Sequence, residues 1–302
     1  MIFWRKGKPV YIVQYMRSEV SQRHFSKSYW RSMITASKYL EQYEIWTGNK
    51  LEGKDFDYKR VESLYNFLGS EYRLKKNTIN AIIKKIVTCV NCMRDDGLNV
   101  GRGYEDYKLN DEEVTAISLS EDEIERIYNL PLRQEIGVIR DLFILSCETG
   151  LRYSDLVQIK QENINNDTLV RKTKKTGAVV IIPLRRRSRE ILKKRLPEYK
   201  GSQTNYNKVI KTICKRAGIV DKVLVEYTCG GKVVRRSVPR YTLVSSHTGR
   251  RTFATTAYLA GIPIVRIMLL TGHKTEEAFF RYIRISKKEN ATTLSEHPFF
   301  IN

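Results

Sequence analysis

Hydrophobic positions in the first hundred residues recur at the three- and four-residue spacing of amphipathic helices. The pattern predicts helices over His24–Thr47, Asp55–Ser70 and Thr78–Asp96, and Gly48 and Gly97 directly follow two of them. Glycine commonly ends a helix because it adopts the left-handed backbone conformation that the C-terminal cap favours. This part of the chain is therefore predicted to form a helical bundle.

The periodicity weakens between Gly97 and Ser118, where glycines and charged residues dominate. Ser120, followed by three acidic residues, then gives a strong helix start, since serine caps the exposed backbone N–H groups of a first turn. We expect a domain boundary between residues 110 and 117.

Beyond this boundary helical patterns alternate with short strands. Alternating segments at Leu169–Lys174 and Ala178–Leu184 flank a turn at residues 175–177, and a second hairpin is expected around Cys229-Gly230-Gly231. Helices are predicted over Ile136–Cys147, Arg186–Arg195, Thr204–Ala217, Gly249–Leu259, Pro263–Leu270 and Thr275–Glu289. The predicted fold is mainly α with small β ribbons.

Composition limits the class of protein. With 302 residues and 41% hydrophobic content, the chain can bury a core in each of two domains. Nowhere do eighteen apolar residues follow one another, and Arg5, Lys6 and Lys8 interrupt any apolar run near the N-terminus. Neither a membrane span nor a signal peptide is predicted.

Charge narrows the class of partner. Lys and Arg outnumber Asp and Glu by 54 to 33, which gives a net charge of +21. Residues 171–250 hold 22 basic and 4 acidic side chains, whereas residues 111–170 hold 5 and 13. Such segregation favours a polyanionic partner, with nucleic acid first. The charge pattern alone does not identify the kind of nucleic acid, since it equally fits RNA or single strands, and it also fits an anionic membrane.

The five cysteines lack the dense, even spacing of a secreted disulfide scaffold, which indicates the cytoplasm. Cys89 and Cys92 form a C-x-x-C motif without a second pair of ligands, so packing within a helix is favoured over a zinc site. His24 and His297 have no companions that suggest a site.

Two C-terminal segments combine residues suited to phosphate chemistry. In SSHTGRRTFATTAYLAGIP, His247 stands three residues before Arg250 at a predicted helix start. In LLTGHKTEEAFFRYIRIS, His273 follows a helix-ending glycine, and Tyr282 lies nine residues later between Arg281 and Arg284. Arginine forks match the geometry of phosphate oxygens, and a tyrosine among arginines is unusual for a core residue.

Two upstream segments add further cations. In FILSCETGLRYSDLVQIK, Arg152 follows Gly150 at the end of an apolar helix, and Asp155 is a possible ion-pair partner three residues later. In KKTGAVVIIPL, Lys175 stands at the hairpin tip, where a flexible cation can reach a groove.

Structural roles also fit these residues taken singly. Arg152 can pair with Asp155, and Tyr282 can pack its ring beside neighbouring phenylalanines. Lys175 belongs to a charged run with Lys172 and Lys174 that fits a solvated surface. The histidines can cap a helix or orient a loop.

In this order, TGLR, a hairpin lysine, HTGR, GH and a tyrosine nine residues after that histidine, the sequence resembles the tyrosine recombinase (phage integrase) family over residues 15–290. It is most similar to the integrases of conjugative transposons. The resemblance implies that Tyr282 is the nucleophile and that Arg152 and Arg250 clamp the phosphate. It also implies that Lys175 is the general acid. His247 and His273 are implied to handle protons and orient the reacting groups.

The resemblance further implies a fold and an activity. The expected fold is an all-α, SAM-like core-binding domain followed by a catalytic domain of the DNA breaking-rejoining enzyme type. The boundaries are an N-terminal extension over residues 1–14, the core-type DNA-binding domain over 15–112 and the catalytic domain with its tail over 113–302. The expected activity is cutting and rejoining of duplex DNA through a 3′-phosphotyrosyl bond, without metal, ATP or another cofactor.

Partners follow from the same resemblance. We expect double-stranded DNA, a homotetramer on paired sites, an accessory DNA-bending factor and no membrane. The tail that ends in Pro298, Phe299 and Phe300 is apolar enough to dock on a neighbouring protomer. The alternatives are a type IB topoisomerase-like enzyme, which acts on one strand as a monomer, and a DNA-binding accessory protein without catalysis.

Overall fold

A computed structural model describes residues 9–18, 23, 25–283, 291, 295 and 298–301. Contacts divide the chain into two compact units. The first unit contains the described residues up to Val114 together with Val225–Arg236. The second contains Thr115–Leu224 and the described residues from Ser237 onward.

The first unit is helical apart from the segment Val225–Arg236. Its elements are α1 (Ile12–Ser18), α2 (Lys27–Thr47), a 3-10 turn (Gly53–Asp55), α3 (Tyr58–Ser70), α4 (Lys76–Asp95) and a 3-10 turn (Tyr104–Asp106). Leu40, Leu64 and Ile83, one from each of the three long helices, are fully buried in one core cluster. Cys89 and Cys92 lie in the same core, as packing residues would.

The helix starts differ from the prediction where caps decide them. Ser26 accepts the backbone N–H of Tyr29, so α2 begins at Lys27, and the predicted start at His24 lies outside the described residues. Asp57 caps α3 in the same way, and the predicted start at Asp55 belongs to a 3-10 turn instead. Side-chain capping oxygens fix a helix start more sharply than periodicity does.

Helix α1 is absent from the prediction. Its seven residues are too few to establish a period, yet Ile12 and Val13 are buried in the core of the first unit. Both residues fall in the segment assigned to the N-terminal extension. That extension therefore contributes to the core.

The second unit is mainly α with small sheets, which confirms the predicted fold class. Its helices are α5 (Glu121–Tyr128), α6 (Gln134–Thr149), α7 (Tyr153–Leu156), α8 (Arg186–Lys194), α9 (Gln203–Arg216), α10 (Ser246–Leu259), α11 (Ile264–Thr271), α12 (Glu276–Phe280) and α13 (Pro298–Ile301). Its 3-10 turns are Gln161–Asn163 and Arg240–Leu243. Its strands are β1 (Ile164–Asn165), β2 (Thr168–Lys172) and β3 (Val179–Pro183).

These three strands form an antiparallel sheet in chain order. Leu169 pairs with Ile182, and both side chains are buried, while Val179 and Ile181 project from the other face and are exposed. Strands β4 (Lys222–Cys229) and β5 (Lys232–Pro239) form a separate two-stranded ribbon. Both predicted hairpins are therefore present.

Helix α6 is the centre of the second unit, since ten of its sixteen residues are buried. Helix α10 packs directly against it at Gly249, where a Cβ atom would lie 2.5 Å from Ser146 Oγ and 3.2 Å from the Cys147 backbone nitrogen. A smaller cluster that includes Phe253, Ile267 and Phe279 joins α10, α11 and α12. These contacts bring helix ends that are distant in sequence together.

Helix α12 is shorter than predicted. Thr275 caps its first turn, but the helix ends at Phe280, and the following backbone N–H groups of Tyr282 and Ile283 bond three residues back. Such bonds tighten and end a helix. The predicted continuation over residues 284–289 lies outside the described residues.

The segregated charges of the sequence pair with one another. Arg187 is nearly buried and contacts the carboxylates of Glu121, Glu125 and Glu148. Arg240 binds Glu123. Further pairs between the basic and acidic stretches are Arg185–Glu121, Arg186–Glu125 and Arg189–Asp167. Part of the positive charge of residues 171–250 therefore holds α8 and the 3-10 turn before α10 in place.

Candidate active site

Arg152 follows a sharp exit from the end of α6. Gly150 adopts the left-handed conformation (φ 68°), and a Cβ atom there would lie 2.5 Å from the Phe253 ring. Arg152 then caps α7, and its Nη1 is buried without a hydrogen-bond partner. Because an unsatisfied buried donor costs about 1–3 kcal/mol, this N–H group is suited to an acceptor supplied by a ligand.

The purely structural role considered for Arg152 was an ion pair with Asp155. Asp155 does not form that pair. Its side chain is fully buried, and Oδ1 accepts the backbone N–H of Lys174 at 2.8 Å. The sequence analysis noted Asp155 only as an ion-pair partner. Its position instead anchors the loop between β2 and β3.

That loop carries Lys175. Thr173 and Ala178 close the loop through a backbone hydrogen bond of 2.8 Å, and Lys174 and Lys175 are both exposed. The charge of Lys175 is among the causes that lower the pKa of His247 and of His273. The hairpin tip is therefore within electrostatic reach of the two histidines.

The start of α10 is held from two sides. Ser245 and Thr248 cap each other, and Asn207 of α9 accepts the Ser246 backbone N–H at 2.8 Å. His247 and Arg250 then follow on the first turn, three residues apart. Residues three apart on a helix lie on the same face, so the two side chains are neighbours.

Arg250 is among the largest fully buried side chains of the described structure, with 1% exposure. It donates to the carbonyl oxygens of Gly150 and Thr271, each at 2.7 Å, while its Nε has no hydrogen-bond partner. Burial, and next the charge of Arg152, lower the pKa of Arg250 to about 10. Two guanidinium groups this close favour an anion between them.

His273 lies in the loop between α11 and α12. Its Nε2 is 3.0 Å from Arg250 Nη2, and its Nδ1 is 2.7 Å from the Thr271 hydroxyl. Arg250 Nη2 is also 3.3 Å from Nδ1, but the Thr271 hydroxyl already donates to the Ile267 carbonyl oxygen, so Nδ1 donates to Thr271 and Nε2 accepts from Arg250. Burial, followed by the charges of Arg250 and Arg152, lowers the pKa of His273 to about 3, and the ring is neutral.

His247 is also held neutral. Burial is the largest cause that lowers its pKa, and the charges of Arg251 and Arg250 follow. Neutral imidazole is the form that can accept a proton.

Tyr282 lies in the turn after α12, half-buried, and its ring packs against the Phe253, Ile267 and Phe279 cluster. The ring centroid is 4.9 Å from that of His273 and 6.4 Å from that of His247. The tyrosine therefore lies beside the residues expected to act with it.

The arginines that lie near the Tyr282 ring in the structure are not the ones that lie near it in the sequence. Arg281 pairs with Glu277 at 2.5 Å on the surface, and Arg284 lies outside the described residues. The guanidinium carbons near the ring belong to Arg250, at 5.2 Å from its centroid, and to Arg251, at 5.9 Å. Arg251 is the residue that the sequence analysis missed, although its place four residues after His247 on a helix was a usable signal.

His24 and His297 lie outside the described residues. Among the residues that the structure describes, no group of three or more His, Cys, Asp or Glu side chains is placed to hold a metal ion. Within the same residues no helix is long and apolar enough to cross a membrane.

Comparisons with known proteins identify the family of this chain. A family model described as the phage integrase family matches residues 118–289. The tyrosine recombinase XerC of Syntrophus aciditrophicus (strain SB) is 26% identical over 284 residues, which cover 87% of each chain. XerC of Staphylococcus aureus (strain MW2) is 23% identical over 283 residues, which cover 91% of each chain.

Two solved structures share the fold. A Tn1549 transposon integrase in complex with transposon right end DNA has a TM-score of 0.69 at 12% identity and is matched over 95% of this chain and 99% of that one. A lambda integrase dimer bound to a COC′ core site has a TM-score of 0.68 at 16% identity, with 92% and 96% covered. The family match spans more than half of the chain, and the chain therefore belongs to the phage integrase family and is a tyrosine-type site-specific recombinase.

Proposed function

We propose that this protein cuts and rejoins duplex DNA at specific sites through a covalent bond between Tyr282 and a 3′ phosphate. One observation carries the proposal: Arg152 and Arg250, which each keep a buried N–H without a partner, converge with Tyr282 and two neutral histidines at one site. The arrangement offers a nucleophile, an anion clamp and a proton acceptor together.

The chemistry balances without an external energy source. The Tyr282 phenol oxygen bonds to phosphorus, and the bond from phosphorus to the 5′ oxygen breaks. The phenolic proton passes to His247, while Lys175 gives a proton to the departing 5′ oxygen. The products are a 3′-phosphotyrosyl bond and a 5′ hydroxyl, and attack by a 5′ hydroxyl from a second strand reverses the step.

The remaining residues stabilise the transition state. The non-bridging oxygens of the phosphate gain charge during attack, and Arg152 and Arg250 each retain an unpaired N–H group that supports a role in binding them. His273 accepts from Arg250 and so orients the clamp. Asp155 holds the loop from which Lys175 reaches the site.

Double-stranded DNA is the proposed substrate. Both structural relatives described above were solved on DNA, and the chain carries a net charge of +21. We assign core-type DNA binding to the first unit and strand cleavage to the second. We also propose that an accessory factor bends the DNA. The proposed compartment is the cytoplasm, since all five cysteines are free thiols, which suits a reducing environment.

A homotetramer on paired sites is proposed from the tail. In α13, Phe299 and Phe300 are 77% and 58% exposed, and on α11 Val265 and Leu269 are 63% and 70% exposed. Exposed apolar side chains of this kind favour docking of one protomer's tail on its neighbour.

Deletion of residues 291–302 should therefore abolish assembly on two sites in native gels while binding to one site persists. Unchanged assembly would contradict the role of the tail.

The cleavage function is tested with Tyr282→Phe on nicked DNA that traps the covalent product. We expect wild-type protein to form an adduct that survives a denaturing gel in the presence of excess chelator. Tyr282→Phe should bind the same DNA with unchanged affinity and form no adduct. A persistent adduct would remove Tyr282 from the reaction, and strict dependence on magnesium would instead favour a nuclease.

A further inference from the structure

Arg251 occupies a place between two groups of the proposed reaction. It lies on α10 four residues after His247, so the two side chains share one face of the helix. Its guanidinium carbon is also 5.9 Å from the centroid of the Tyr282 ring. Arg250, the next residue on the helix, approaches the same ring at 5.2 Å. The ring of Tyr282 is therefore bordered by two guanidinium groups.

The positive charge of Arg251 lowers the pKa of His247. After burial, Arg251 is the largest cause that lowers the pKa of this histidine. Arg250 from the same helix, Arg152 from the start of α7 and Lys175 from the β2–β3 loop act in the same direction. Their relative weight changes once DNA binds, because the phosphate neutralises the clamp formed by Arg152 and Arg250.

We propose that Arg251 is a positioning residue for recombination, holding the Tyr282 ring and keeping His247 in the neutral form that accepts the phenolic proton. This inference rests on the proposed function. A phosphate anion bound at the clamp favours the charged form of a nearby histidine. Arg251 lies four residues after His247 on α10, and its charge opposes that effect while substrate is bound.

Arg251→Gln and Arg251→Lys test this role in single-turnover cleavage of nicked DNA between pH 5.5 and 8.5. Arg251→Gln should lose about two- to fivefold in rate at pH 8, since the cation–π contact of this half-buried guanidinium contributes roughly 0.5–1 kcal/mol. The loss should grow towards pH 6, because without the positive charge the pKa of His247 rises. The acid limb of the profile therefore moves to higher pH. Arg251→Lys keeps the charge and should keep the wild-type acid limb.

Arg216→Gln is the matched control, since it removes the same charge from the surface at the end of α9. Its profile should coincide with that of the wild type, and thermal unfolding should show that all three variants are folded. The inference is wrong if the pH–rate profiles of Arg251→Gln and the wild type coincide once they are scaled to the same maximum rate. It is also wrong if the acid limb of Arg251→Lys shifts as far as that of Arg251→Gln. Failure of the proposed function gives a different result, namely no adduct from the wild type at any pH.

Discussion

At the scale of single residues, the site keeps two cations where burial opposes charge. Arg250 is almost fully inaccessible and is close enough to Arg152 for that charge to lower its pKa. Carbonyl oxygens of Gly150 and Thr271 satisfy only part of its N–H groups. Such a pair is stable in place because the fold fixes it, and a phosphate completes it.

The proposed role of Lys175 as proton donor can be distinguished from the effects of the neighbouring lysines by changing the leaving group of the DNA. An alkoxide is too basic to depart readily, whereas a thiol, with a pKa of about 8.5 by analogy with cysteine, leaves without a proton. Lys175→Ala should therefore cleave ordinary DNA poorly and recover substantially on DNA with a bridging 5′ sulfur. Single-turnover rates on the two substrates measure this recovery.

Arg152→Ala should not recover on sulfur-substituted DNA, because the non-bridging oxygens that it stabilises are unchanged. Lys172→Ala and Lys174→Ala are the controls for charge in the same hairpin. Sulfur rescue of either control variant, with none for Lys175→Ala, would show that another lysine supplies the proton.

At the scale of elements, the contact between α6 and α10 determines where the site forms. Gly249 lies between His247 and Arg250, and any side chain there would enter the backbone of α6 beside Ser146 and Cys147. The closeness of the two helices lets Arg250 reach the carbonyl of Gly150. Catalytic geometry therefore depends on a residue that does no chemistry.

Gly249→Ala should lower the free energy of unfolding by about 1–2 kcal/mol, because overpacking outweighs the roughly 1 kcal/mol gain in helix propensity. Cleavage should fall further than stability, since α10 carries two site residues. Chemical unfolding and single-turnover cleavage report the two effects.

Gly137→Ala is the matched control on α6. A Cβ atom at Gly137 meets nothing within 4 Å, so this variant should be at least as stable as the wild type and fully active. Equal effects of Gly249→Ala and Gly137→Ala would mean that close helix packing does not govern the site.

At the scale of the whole molecule, part of the positive charge is paired with carboxylates of the same chain. Five arginines of residues 171–250 bind carboxylates of residues 111–170. The charge that a phosphate backbone meets is therefore smaller than the 22 basic against 4 acidic residues of that stretch suggest.

We expect DNA affinity to fall with salt at about −0.9 in log–log slope for each phosphate contacted. Lys174→Gln, in the loop beside the clamp, should make the slope shallower by about one such step. Arg186→Gln should leave it unchanged, because Arg186 already pairs with Glu125 and Glu190. Titrations at several salt concentrations measure the slopes, and a change for Arg186→Gln equal to that for Lys174→Gln would contradict this division of charge.

The sequence by itself determined the fold class, the family and most of the secondary structure. Hydrophobic period, caps such as Ser120 and turn glycines such as Gly150 act over a few residues, so they are legible locally. The order of the motifs around Arg152, Arg250 and Tyr282 was sufficient to indicate the chemistry. Helix α1 escaped because seven residues hold too little periodic signal.

Only the tertiary structure decided which groups meet. The cations beside Tyr282 proved to be Arg250 and Arg251 and not its neighbour Arg281, and Asp155 binds the Lys174 backbone and not Arg152. Pairings of this kind join segments tens of residues apart. They depend on how helices pack and on which charges burial forces together, and local sequence patterns encode neither.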